Sequence, residues 1–265
     1  MTLTIVPLLI LSTLGLCALF ALVYLLARRI DNYGIVDIAW SYAFAGIATF
    51  YALFGTGWIF RRALIGAMAI VWSLRLGTHL YRRVMGHHPE EDSRYRQLRE
   101  DWSGNFGPKM FGFFQMQAVS VVILAAPFLL ASRHAAPAFQ PLEIIGALLW
   151  LFALTGESLA DRQLHRFVRD PAHKGKVCDV GLWRYTRHPN YFCEWLIWVG
   201  FGTFALAAPW GWIALLSPAI MFHLLRNVTG VPMAEKSSLK SKGDAYRAYQ
   251  QRTNAFFPGP TKKSA

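Results

Sequence analysis

The chain has 265 residues, of which 54% are hydrophobic and only 16% charged, yet its formal net charge is +12. The charge sits between long apolar runs, which argues against a basic nucleic-acid-binding domain and for a polytopic membrane protein. No Cys/His spacing suits a metal site, and three cysteines cannot all pair with one another, so the thiols are read as reduced.

In chain order, runs long enough to span a bilayer fall at about 3–27, 35–56, 63–81, 111–131, 142–160, 190–207 and 211–227. The first, from Leu3 to Ala27, lacks a basic start and a small-residue cleavage site and ends in Arg28-Arg29, so it reads as a retained anchor. The run at 190–207 is the shortest. Seven spans put the chain ends on opposite sides. Arg28 and Arg29, six cations from Arg82 to Lys109, seven from Arg162 to Arg187 and eight from Arg226 to Lys263 all fall on one side. Only Arg61, Arg62 and Arg133 fall on the other. This bias predicts an all-α polytopic bundle of seven transmembrane helices, with the amino terminus outside and the carboxy terminus cytoplasmic. Residues 1–265 read as one domain without internal repeats. A short surface helix is expected around Arg94–Trp102. An amphipathic tail helix is expected over Ala234–Arg252, closed by Phe256-Phe257-Pro258.

The richest stretch is Gly181-Leu-Trp-Arg-Tyr-Thr-Arg-His-Pro-Asn-Tyr-Phe-Cys-Glu-Trp-Leu-Ile-Trp198. Pro189 suits a first helical position, and His188 before it is pushed out of the helical region, so a helix should start near Pro189 and run to about Leu206. Its free N–H groups and positive dipole end then face a loop carrying Arg184 and Arg187, a setting suited to phosphate. Asn190 and Glu194 follow at i,i+4, on one face. A carboxylate one turn below a membrane surface calls for a partner or a ligand. Tyr191, Trp195 and Trp198 also fit an interfacial aromatic belt, and the arginines fit simple membrane anchors.

Other polar groups gather at the same depth. Asp37 stands near the start of the second span beside Trp40 and Ser41. Arg75 and His79 share a face of the third, and Glu157 and Asp161 a face of the fifth, with His165 a turn later. Pairwise neutralisation, such as Asp37 with Arg75, accounts for any one pair. A ligand cavity open to the cytoplasm accounts better for their common depth. No G-x-G-x-x-G motif or P-loop is present, so a nucleotide would be held by loops and helix ends, with Arg187, Lys174 or Lys176 suited to its phosphates.

The Gly181–Trp195 stretch resembles the carboxy-terminal signature of the steroid 5-alpha-reductase family, above all its bacterial branch. Val36-Asp-Ile-Ala-Trp40, Glu91-Asp-Ser-Arg-Tyr95 and Gly230-Val-Pro-Met-Ala-Glu-Lys236 extend the resemblance over most of the chain. Sterol C14-reductases and isoprenylcysteine carboxyl methyltransferases share its Arg-His-Pro-x-Tyr core. The resemblance implies a seven-helix bundle, in a bacterial inner membrane, that binds NADPH from the cytoplasm and reduces an enone steroid. It places Arg75, Asp161, Asn190 and Glu194 at the cofactor, to which the basic loop and the helix mouth add Lys176, Tyr185, Arg187, His188 and Tyr191 as candidates. The family's catalytic glutamate falls near Asp37 and its catalytic tyrosine on Trp72. That is a departure, because an indole donates a hydrogen bond but supplies no proton. Cys193 replaces the usual glycine.

The function expected on this basis is NADPH-dependent reduction of the C=C bond of a 3-oxo-Δ4-steroid or similar lipophilic enone. Asp37, protonated by burial, would polarise the enone oxygen, with Trp72, Tyr33 or Tyr42 assisting. The bilayer and the lipophilic substrate are the expected partners, and nucleic acid is not. Two alternatives stand beside it. One is an S-adenosylmethionine-dependent methyltransferase of a lipidated thiol, using Arg187, His188 and Glu235. The other is a non-catalytic sterol-binding membrane protein.

Overall fold

The computed structural model describes residues 3–86 and 88–262. His87 and Lys263, which the sequence places in a charged loop and in the basic tail, lie outside the described residues. Helices dominate, and there is no strand among the described residues. Among the described residues, six helical stretches are long and apolar enough to cross a membrane: Ile5–Ile30, Ile35–Phe54, Ile59–Met85, Ser103–Ala131, Pro141–Arg169 and Gly211–Arg252. The protein is therefore a helical membrane protein. The run at 190–207 forms a helix of 17 residues, shorter than these six.

The chain divides into two compact units, Met1–Gln140 with Ala207–Ile213, and Pro141–Leu206 with Ala214–Ala265. The first unit contains α1 (Ile5–Ile30), α2 (Ile35–Phe54), α3 (Ile59–Met85), the short α4 (Ser93–Asp101), α5 (Phe106–Leu124) and α6 (Ala126–Ala131). On α1 only the stripe Leu8, Ser12, Leu16, Phe20, Tyr24 and Ala27 is buried, at nearly four-residue spacing, while Leu14, Leu22 and Leu25 are exposed. A helix that is apolar all round yet buries one stripe is built to face lipid on its other sides. Its end is marked by Asp31 at φ 51°, with Arg28 and Arg29 in the last turn where cations favour the dipole.

α2 and α3 pack closely because Gly77 leaves room for the Tyr42 ring, which would lie 2.6 Å from an added Cβ. Ser73 joins them further, donating to the Ser41 carbonyl and accepting from the Ala45 amide. Pro127, near the start of α6, ends α5 and breaks the 111–131 run into two helices, because it offers no amide to continue the ladder. Arg61, one of the three sequence-exposed cations, is fully buried and donates to the carbonyls of His134, Ala136 and Ala138 at 2.6–2.7 Å.

The second unit contains α7 (Pro141–Arg169), α8 (Pro189–Ala205), α9 (Leu216–His223) and the tail helix α10 (Val231–Arg252). α7 and α8 approach at Gly146 and Gly200. A Cβ on Gly146 would lie 2.5 Å from the Phe204 amide nitrogen, and one on Gly200 2.9 Å from the Trp150 side chain. Such small-residue contacts are how membrane helices gain packing when lipid is as apolar as their own surface. A single π-turn, Leu224–Val228, separates α9 from α10. From there the helix changes character: Lys236, Lys240, Lys242, Arg247 and Arg252 follow, and α10 is broken at Gly243 (φ 52°, ψ −125°). None of the three cysteines is in a disulfide; Cys17 is half-buried, and Cys178 and Cys193 are buried.

Candidate functional site

The signature stretch folds as its sequence expects. A 3-10 turn, Gly181–Arg184, leads to His188, whose backbone (φ −137°, ψ 62°) is non-helical, and α8 starts at Pro189. Below this mouth Asn190 Nδ2 donates to Asp161 Oδ1 on α7 at 3.3 Å. One turn deeper Glu194, 6% exposed, accepts from the indole of Trp198 at 3.0 Å. Glu157 is buried on the same helix as Asp161. Two helices thus bring together Asn190 and Asp161, two of the residues that the family resemblance places at a cofactor. Tyr191 stacks almost parallel on His188, with ring centroids 5.4 Å apart.

Around the mouth, Lys174, Lys176, Arg184 and Tyr185 are exposed, as are Arg162 and Arg166 at the end of α7. None of these five Lys and Arg side chains has a carboxylate partner among the described residues. Arg187 differs. It is only 9% exposed, and the tail occupies its guanidinium. Nε and Nη2 meet Glu235 Oε1 at 2.7 and 2.5 Å, while Nη1 donates to the carbonyls of Gln250 and Thr253. Glu235 also meets His188 Nε2 at 3.3 Å and accepts from Gln250 Nε2 at 2.9 Å. Burial alone would raise the Glu235 pKa, but these bonds from His188, Arg187 and Gln250 hold it at about 2. Burial pushes the His188 pKa below its usual value and so favours the neutral imidazole, against the pull of Glu235, which raises it.

Further ties seat the tail. Tyr249 donates to the Trp183 carbonyl, and Thr186 Oγ1 to the Phe256 carbonyl. The Arg187 amide reaches the Asn254 carbonyl, and the Gly259 amide that of Tyr185. Arg252 pairs with Asp179. The sequence shows an amphipathic tail. It does not show that the tail's own carboxylate fills the arginine reserved for phosphate.

In the first unit, Asp37 stands at the start of α2, and its carboxylate is held by α4. Tyr95 donates to Oδ1 at 2.7 Å and Arg94 Nη2 to Oδ2 at 2.7 Å, with Arg83 at 3.9 Å. Asp92 caps α4, accepting from the Arg94 amide. Burial, then the Asp37 charge, raise the Tyr95 pKa well above its usual value, so the phenol keeps its proton.

Of the pairings open to Asp37 in the sequence, the fold selects Arg94 and not Arg75. Trp72 is fully buried and packs its edge on Phe44 at 5.2 Å, in the core of the unit. Arg75 is half-buried on α3. Tyr95 and Arg94 were visible in the sequence only as part of the stretch Glu91–Tyr95. Nothing in their spacing, 57 and 58 residues from Asp37, tied them to it.

Comparison with known proteins places the chain without naming an activity. A protein of Schizosaccharomyces pombe, described as uncharacterized, is 28% identical over 253 residues, covering 84% of this chain and 72% of the yeast protein. No solved structure matches. The model of a family described as a protein of unknown function, DUF1295, matches residues 23–253, which include α2, the Asp37 cluster, the α8 mouth and all of α10. The chain belongs to the DUF1295 family.

Proposed function

We propose that the protein is a membrane-embedded, NADPH-dependent reductase of the C=C bond of a 3-oxo-Δ4-steroid or similar lipophilic enone. The observation that carries this reading is the Asn190–Asp161 hydrogen bond. It joins, from two helices and across 29 residues of sequence, two side chains that the reductase resemblance assigns to one cofactor. A dinucleotide also needs cations for its phosphates, and Lys174, Lys176 and Arg184 stand exposed around the same mouth without carboxylate partners. These residues fit NADPH: the loop cations would hold phosphates, and Asn190 and Glu194 would orient the nicotinamide end. When bound, the cofactor supplies the hydride; the protein's part is positioning and electrostatics.

In the first unit, polarisation of the enone oxygen falls to the Asp37–Tyr95 pair. Tyr95 would turn its single O–H from Asp37 to the enone oxygen, leaving Arg94 to neutralise Asp37. This adds a phenol to the Asp37 and Trp72 of the sequence reading.

The proposal counts α8 as a seventh span. Its 17 residues reach roughly 25 Å at about 1.5 Å each, at the short end for a bilayer core. The amino terminus is then outside, and the carboxy terminus and the α8 mouth are cytoplasmic, in a bacterial inner membrane.

A methyltransferase reading has one observation in its favour: Arg187, His188 and Glu235 meet in one cluster. Titrating the purified protein in detergent with NADPH and with S-adenosylmethionine separates the two. Saturable NADPH binding, followed by oxidation of the bound cofactor on adding a Δ4-3-oxo steroid, is the expected result. Binding of S-adenosylmethionine alone would replace the reductase reading. Steroid binding with neither cofactor would leave a sterol-binding protein.

A further inference from the structure

Arg187 is where the sequence puts a phosphate and where the structure puts a carboxylate. The Nε–Nη2 edge of its guanidinium, the edge that grips planar oxyanions, faces Glu235 Oε1 at 2.7 and 2.5 Å. His188 Nε2 approaches the same oxygen at 3.3 Å, and Gln250 Nε2 donates to Oε2 at 2.9 Å. Four nitrogen donors from three residues, two of those residues buried, converge on one anionic group. That is the architecture of an oxyanion-binding site, and its present occupant belongs to the chain.

The occupant is carried by a segment with its own break point. Glu235 lies in the first half of α10, before Gly243, whose backbone (φ 52°, ψ −125°) is non-helical and has open space around it. The second half is the anchored one: Tyr249, Gln250 and Thr253 hold Trp183 and Arg187, and Asn254 and Phe256 hold Arg187 and Thr186. At its other end the segment follows Gly230, whose backbone (φ −83°, ψ −94°) is also non-helical, so Val231–Lys242 can shift between these two breaks while the rest of the tail stays bonded to the mouth.

We propose that Arg187 and His188 form a seat for a ligand phosphate, that Glu235, latched there by Gln250, is its intramolecular occupant, and that an entering phosphate displaces Glu235 and moves Val231–Lys242 away between the breaks at Gly230 and Gly243. Breaking a buried ion pair outright is strongly unfavourable, because it leaves a charge uncompensated. Exchange avoids this, since the phosphate takes the carboxylate's place on Arg187 and Glu235 passes into water. The tail thereby acts as a competitive gate, and only ligands bearing phosphate open it. The seat itself rests on geometry; naming its phosphate as that of NADPH rests on the reductase reading.

The test is hydrogen exchange of the full-length protein in detergent, alone, with NADPH and with inorganic pyrophosphate, beside equilibrium binding of both ligands to wild type, Glu235→Gln and Gln250→Ala. The expected result is faster exchange in 231–242 with either ligand, while 246–256 stays protected. Glu235→Gln should bind both ligands about tenfold more tightly, the scale of one charge-assisted contact removed from the competitor. Gln250→Ala leaves Arg187 intact and loosens only the second Glu235 oxygen. It should bind about two- to threefold more tightly, and it decides the matter if Glu235→Gln does not fold. Slower exchange in 231–242 on binding, or affinity unchanged or weakened in both variants, would overturn the gate and make Glu235 a structural partner of Arg187. If NADPH binds no variant while pyrophosphate still opens the segment, the seat stands and the reductase reading falls. If NADPH binds all three proteins alike and pyrophosphate does nothing, the reductase reading stands and the gate falls.

Discussion

The phenol of Tyr95 donates to Asp37 Oδ1 at 2.7 Å, joining the surface helix α4 to the start of α2 across 58 residues of sequence. With Arg94 on the other oxygen, the aspartate is held from both sides. Hydrogen bonds to charged groups contribute about 1.5–3 kcal/mol each, so Asp37→Asn and Tyr95→Phe should each lower stability by about that amount. Because they remove the same bond, the double variant should fall short of the sum by about 1–3 kcal/mol. Thermal unfolding in detergent measures this cycle. Strict additivity would mean that the two side chains do not interact in solution.

Asp37 and Glu194 should fail differently in function. Asp37→Asn should lower turnover of a Δ4-3-oxo steroid by about 100- to 1000-fold, the usual effect of losing an oriented donor to a developing oxyanion, because Tyr95 loses the neighbour that orients it, with NADPH affinity nearly intact. Glu194→Gln should raise the NADPH dissociation constant by about tenfold, with less effect on single-turnover rate. Steroid reduction by Asp37→Asn at the parent rate would leave Asp37 as no more than the ion-pair partner of Arg94.

Topology is checked by reporter fusions. One after Ala265 should be cytoplasmic and one before Met1 should not, given twenty-three Lys and Arg on one side of the predicted spans against three on the other. Both reporters on one side would mean that α8 does not cross and that six spans suffice.

The clasp between tail and mouth should weaken in acid. Glu235 has a folded pKa of about 2 against an ordinary value of 4.5, so between these values the unfolded chain binds more protons than the folded one. Its contribution is complete above about pH 4.5 and is lost as pH falls towards 2. His188, whose pKa is also lowered by burial, acts in the same direction from its ordinary value of 6.5 downward. Unfolding temperatures between pH 7 and pH 3 should therefore decline less for Glu235→Gln than for wild type. Parallel curves would show that Glu235 is not the titrating partner.

Glycines test the packing of each unit. Gly146→Ala puts a methyl group 2.5 Å from the backbone of α8 and should cost about 1–3 kcal/mol or more, read as a lower unfolding temperature. Gly15→Ala, on α1 with nothing within 4 Å, should cost nothing and gain helix propensity. Equal behaviour of the two would mean that α7 and α8 do not approach at Gly146.

Much of the architecture was legible because membrane helices are written in local chemistry. Run lengths located the apolar helices, Pro189 located the start of α8, and the charged tail located α10. Asn190, Glu194 and Asp161 could be nominated because i,i+4 spacing and helix ends are local properties. The 190–207 run shows the limit: its composition suits a span, but its helix reaches only 17 residues.

Partner choice was a different matter. Asp37 had Arg75 and several other cations as sequence-level partners, and only the placement of α4 selected Arg94 and Tyr95. Arg187 had every mark of a phosphate ligand, and only the fold of α10 brought Glu235 onto it, 48 residues away in sequence. By itself the sequence determined which segments are helical and apolar, since hydrophobicity, capping and proline act within a turn or two. Tertiary structure decided which charge meets which. An ion pair forms wherever packing brings two long side chains within about 4 Å, and their separation along the chain carries no trace of that meeting.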